Sequence, residues 1–118
     1  MAIENWSDRI VIVHLCGEPQ FTDDLQTIQE MTSQRSFDVV LDFSGLRSLN
    51  SSQIARLLKL RKTMATLGNR LMLCCVDPQV WSVFLVTGLD KIFEFSDAVP
   101  LALAGLQLTQ QADPASPA

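Results

Sequence analysis

The chain has 118 residues, room for one compact domain and none for a second catalytic one. Its residues are 47% apolar and 19% charged, the make-up of an ordinary globular protein and not of a disordered chain. Nine Lys and Arg against thirteen Asp and Glu leave a net charge of -4, which argues against binding DNA or RNA through phosphate attraction.

Residues 2–6 read as a short leading strand. Asp8 to Cys16 (DRIVIVHLC) is apolar on both alternating faces, the pattern of a strand covered on both sides, and Gly17-Glu18-Pro19 stops it. The apolar run Ile10 to Cys16 is far shorter than the roughly 20 residues of a membrane span and has no basic flank, so a cytoplasmic protein without membrane insertion is expected. From Phe21 a helical period takes over, with Thr22 as N-cap, Asp23 and Asp24 in the first turn, and Leu25, Ile28 and Met31 on one stripe. This helix is expected to end near Arg35. Phe37 to Phe43 (FDVVLDF) is a second strand with Phe37, Val39, Leu41 and Phe43 facing one way, punctuated by Ser44-Gly45.

A long helix then runs from about Ser51 to Leu67, with Gly68 at its C-terminal turn; Asn50 and Gln53 have capping-box spacing. Arg70 to Val76 is a third core strand. Asp77-Pro78 reads as N-cap and first residue of a helix that buries Val80, Trp81, Phe84 and Leu85 and stops at Gly88. Ile92 to Phe95 is short enough for an edge strand, and a last apolar helix covers Asp97 to about Leu106. Residues 107–118, rich in Gln, Pro and small residues, read as a disordered tail. The alternation predicts a single α/β domain over residues 1–106. Its sheet has four to five strands, mixed but mostly parallel, with about four helices. With no coiled-coil period, a monomer is expected.

Function in such a fold gathers at the carboxyl ends of the strands. Among the loops there, Asn50-Ser51-Ser52-Gln53 stands out: two hydroxyls on a first helical turn, where free N–H groups and the helix dipole favour negative charge. Capping alone also explains this tetrapeptide. Behind it Arg56, Lys59 and Lys62 form a basic stripe opposite Ile54, Leu57, Leu58 and Ala65; it is either a solvated face or a surface for an acidic partner. Arg61 falls within the apolar arc, to snorkel past the core or to pair with a carboxylate such as Asp42.

No catalytic apparatus is expected. Cys16, Cys74 and Cys75 are an odd number of thiols in apolar strands and read as reduced and inert; 74 and 75 point to opposite faces of a strand. His14 reads as a core histidine. No metal-ligand spacing, Gly-rich phosphate loop or acid pair is present, so neither metal nor cofactor is expected.

Three segments, Val39 to Leu46 (VVLDFSGL), Leu49 to Ile54 (LNSSQI) and Thr87 to Phe93 (TGLDKIF), resemble the STAS domain, the fold of bacterial anti-sigma factor antagonists; the resemblance covers roughly residues 2–106. It implies a phospho-switched regulator of transcription rather than an enzyme. In the family's usual Asp-Ser-Ser/Thr-Gly turn, the first serine is phosphorylated by an anti-sigma factor that is also a serine kinase. By this resemblance Ser51 is the phosphorylation site, supported by Asn50, Ser52 and Gln53. The resemblance implies an anti-sigma serine kinase as partner and a serine phosphatase that reverses the switch, with Gln20 and the basic Arg56 and Lys59 as the expected contacts. The chain departs from the pattern where Asn50 replaces Asp, Gln53 replaces Gly, and Gln20 stands where many members carry an acid. Two rival readings are a STAS subunit that never receives phosphate, within an assembly such as a lipid-transport ATPase complex or a stress-signalling scaffold, and a small enzyme or ligand-binding domain using the same strand-end crevice.

Overall fold

The structure, a computed structural model, describes residues 2–111. The strands are β1 (Ile3–Ser7), β2 (Ile10–His14), β3 (Asp38–Asp42), β4 (Leu71–Cys74) and β5 (Glu94–Ser96); the helices are α1 (Gln20–Met31), α2 (Ser51–Thr66), α3 (Pro78–Thr87) and α4 (Val99–Gln111). They form one sheet in the order β1-β2-β3-β4-β5. β1 runs antiparallel to β2, and the other three pairings are parallel, as crossovers through helices require. The mixed, mostly parallel α/β sheet of the sequence reading is thus the observed architecture.

The alternation of β2, β3 and β4 sends side chains to two cores. One face carries Val11, Val13, Val39, Leu41, Leu71 and Leu73 beneath α1, α2 and α3, which contribute Phe21, Leu25, Ile28, Leu57, Leu60, Met64, Val80 and Phe84. The other carries Ile10, Ile12, Val40, Met72 and Cys74 under α4 alone, through Ala102 and Leu106. Both faces of the three central strands are buried along most of their length, with polar residues confined to strand ends: Asp38 and Asp42 on β3 and His14 on β2.

Local chemistry explains the boundaries and moves several of them. Asp77 accepts from the Gln79 amide at 2.9 Å with Pro78 at the first helical position, and Gly88 ends α3 at φ 75°, as expected. Leu85, expected inside, is exposed; the core takes Val80 and Phe84, with Trp81 partly buried against it. The α1 start differs more. Its cap position is Pro19, and the Thr22 amide is satisfied by the Glu18 carboxylate at 2.8 Å, so Thr22 lies inside the helix rather than capping it. The helix stops at Met31, four residues before Arg35, with Thr32 and Ser33 hydroxyls bonded to the Gln29 and Glu30 carbonyls. At the far end α4 continues through Gln111, so residues 107–111 are helical where a tail was expected; the rest of that tail lies outside the described residues.

One glycine is fixed by packing. A Cβ on Gly45 would stand 2.5 Å from the Leu15 carbonyl oxygen, because the loops leaving β2 and β3 touch there. Backbone cannot yield as a side-chain tip can. Gly45→Ala should therefore cost about 1–3 kcal/mol, read as a lower urea midpoint at unchanged m-value; an unchanged midpoint would show that the two loops separate freely.

Candidate functional site

The carboxyl ends of β2, β3 and β4 carry loops 15–19, 43–50 and 75–77, and the contact of Gly45 with Leu15 brings the first two together. The second loop delivers the chain to α2. There Asn50, extended at φ -98° and ψ 172°, accepts from the Gln53 amide at 2.8 Å, while the Gln53 side chain accepts from the Asn50 amide at 3.0 Å. The capping box read from the sequence is complete. Gln53 is buried in this role, so it acts from within the turn and is not a contact on its surface.

Ser51 and Ser52 sit at the first two helical positions and are exposed. Among the described residues neither hydroxyl has a hydrogen-bond partner. Since Asn50 and Gln53 complete the cap, the hydroxyls carry no structural duty and stand free beside the positive end of a 16-residue helix. No acidic residue lies in that first turn.

The remaining expected contact residues divide. Arg56 and Lys59 are exposed and line a cleft of about 190 Å³ between α2 and α1, together with Leu25, Gln26 and Gln29. Neither makes an ion pair among the described residues. Gln20, also exposed, is the first residue of α1, where its amide donates to Asp24 at 2.9 Å. Arg61 neither snorkels past the core nor meets Asp42: it is exposed, and its Nε donates to the Ile92 carbonyl at 3.1 Å. The parallel register gives Asp42 to another partner.

That partner is His14, paired with Asp42 across β2 and β3. Its Nδ1 lies 2.7 Å from Asp42 Oδ2, and its Nε2 lies 3.2 Å from Glu4 Oε1 on β1. With a side chain 43% exposed, His14 is no core histidine; it bridges two carboxylates at the sheet end. The bond to Asp42, then the bond to Glu4, raise its pKa from 6.5, with burial partly opposing. Asp42 lies below its ordinary 3.8: burial resists ionisation, but the Ser44 amide, the His14 ring and the Ser44 hydroxyl outweigh it. The sequence offered one clue, a polar residue ending each of two apolar strands, but not the register that joins them.

The signs set a pH window. The contribution from Asp42 is present above about 3.8 and lost as pH falls through its lowered pKa; that from His14 is full below about 6.5 and lost as pH rises through its raised pKa. At this exposure the pair is worth about 0.2–1 kcal/mol. The melting temperature is expected to decline from pH 6.5 to 8.5, and His14→Gln to remove that decline. Parallel pH profiles for both proteins would refute the assignment.

A family model described as "Mlab, STAS domain" matches residues 5–109. No curated protein sequence matches the chain. Among solved structures, a serine-to-glutamate variant of RsbS from Moorella thermoacetica superposes with a TM-score of 0.81 at 16% identity, covering 93% of this chain and 97% of that one. An anti-sigma-factor antagonist (STAS) domain protein from Planctomyces limnophilus gives 0.73 at 19% identity, covering 83% and 91%. A sulfate transporter family protein from Wolinella succinogenes gives 0.77 at 15% identity, covering 87% and 88%. At these identities the likeness is one of fold.

Proposed function

The chain belongs to the STAS domain family, and we propose that it is a phospho-switched binding protein: an anti-sigma factor antagonist that acts by docking, without catalysis. When Ser51 is unmodified, the chain holds a cytoplasmic anti-sigma serine kinase through the start of α2. When Ser51 is phosphorylated it releases that partner, and a serine phosphatase resets it. One observation carries the reading: the Ser51 hydroxyl is exposed and unbonded on a helical turn whose cap is complete without it. Modification there costs the fold little.

A phosphoryl group adds about -1.5 to -2 charges. Beside the first free amides of α2 that charge is tolerated within the chain. At a docked surface it must be desolvated, so the modification acts against the complex while sparing the fold. Arg56 and Lys59, without an ion pair among the described residues, give an otherwise acidic protein a basic surface along the cleft behind the turn that steers an acidic partner. No helix of the described residues is long and apolar enough to cross a membrane.

A second reading has its own support. Asn50 places a neutral amide, already used in the cap, where a carboxylate would stand beside the hydroxyl. On this reading the chain is a constitutive STAS subunit of a larger assembly. The two separate on the tryptic peptide Ser48 to Arg56 from protein purified from its native cells. The switch expects one added phosphoryl group at Ser51. An unmodified peptide across growth and stress conditions would favour the constitutive subunit.

A further inference from the structure

The spacing of the cysteines gave no reason to expect a metal, yet the fold gathers donors that are 32 and 33 residues apart in sequence. β3 and β4 pair Asp42 with Cys74, and the next residue is Cys75. One carboxylate oxygen of Asp42 and the sulfurs of Cys74 and Cys75 all lie within 4.8 Å of one another. Successive strand residues point to opposite faces, so two adjacent thiols should diverge. They do not, because Cys75 leaves the strand at φ 60°, the left-handed region that a non-glycine residue enters at a cost of about 1–3 kcal/mol. It has no glycine's excuse. That backbone reversal turns both thiols toward one carboxylate.

We propose that Asp42, Cys74 and Cys75 form a binding site for one thiophilic divalent cation of the zinc group. Two sulfurs and one oxygen are the donors such ions take, and hard cations such as Mg²⁺ or Ca²⁺ decline them. Binding forms two metal–sulfur bonds and one metal–oxygen bond and breaks two S–H bonds. Two protons go to solvent, water fills the fourth position, and no electron moves. The charge of the site stays at -1, since the cation's two charges replace those of the departing protons. The carboxylate is already held for this: the Ser44 amide donates to Oδ1 at 2.9 Å and His14 lies 2.7 Å from Oδ2, which fixes the orientation of the group. Entry is open through Cys75, which lines a cleft of about 250 Å³ with Val76, Trp81, Phe95, Ser96 and Asp97. Because both thiols must lose their protons to bind, affinity rises with pH.

The test titrates Cd²⁺, then Zn²⁺, into the full chain kept reduced by a phosphine, following thiolate-to-Cd²⁺ absorbance and heat in two buffers of different ionisation enthalpy. The expected result is one ion per chain with about two protons released. Cys75→Ser, at a half-buried position, should keep the native circular dichroism and weaken binding beyond the roughly 10–100-fold that outer-shell changes cost. His14→Gln should fall inside that range, and Cys16→Ser should bind as the parent does. Absence of the charge-transfer band at equimolar metal in the reduced parent, or equal affinity in the folded Cys75→Ser chain, would overturn the site.

Discussion

Phe84→Ala is expected to cost about 3–5 kcal/mol. Phe84 is fully buried on α3 and is the hub of an aromatic cluster. Its ring centroid lies 5.2 Å from Phe95 and 6.0 Å from both Phe43 and Phe93, all in edge-on geometry, and 6.5 Å from Trp81. These rings come from the end of β3, the segment after α3, and β5. One side chain thus ties the last third of the chain to the central sheet. Edge-to-face pairs add about 0.5–1.5 kcal/mol each beyond their burial, and truncation forfeits several together while leaving a void among rigid rings. In a domain with about 5–15 kcal/mol of total stability, the melting temperature should drop by roughly 10–20 °C. Phe84→Leu, which keeps most of the volume, should lose well under half as much. A loss below about 1 kcal/mol for the alanine variant would show that the cluster collapses around the void, and the hub role would fall.

How much of this was written legibly in the sequence depends on the range of the interaction. Features closed within a few residues could be read directly. Asp77-Pro78 and Gly88 bracket α3, and Asn50 with Gln53 cap α2, because each uses bonds spanning two to three residues. The α1 start failed on that same rule, since Glu18 reaches four residues forward and does a cap's work without standing at the cap. What the sequence hid is what strand register creates. His14 meets Asp42 28 residues away, and Asp42 meets Cys74 further on, through pairings that periodicity cannot supply. Arg61 hides its role for a related reason: its partner is a backbone carbonyl, that of Ile92, which leaves no compositional trace. Ser51 was legible for the opposite reason, because a free hydroxyl on the first turn of a capped helix is a local property.

That freedom makes Ser51 the position at which charge should matter most. With Mg²⁺·ATP present, the partner retained by the immobilised wild-type chain should be released as Ser51 is modified, and Ser51→Ala should hold it throughout. Ser51→Asp should bind poorly from the start. A carboxylate that loses its water at an interface without gaining a counter-charge costs about 2–5 kcal/mol, or roughly 30- to several-thousand-fold in Kd. The loss cannot be charged to misfolding: an acid at the first position of α2 lies at the favourable end of the dipole and leaves the Asn50–Gln53 cap intact, so the variant should melt no lower than its parent. The ATP arm separates the two readings of function. A constitutive subunit would also resist an acid placed in its interface, but its retention would not change when ATP is added. Retention of the partner by wild type and Ser51→Ala alike under Mg²⁺·ATP, with the peptide Ser48 to Arg56 unmodified, would therefore remove the switch and leave the docking surface standing.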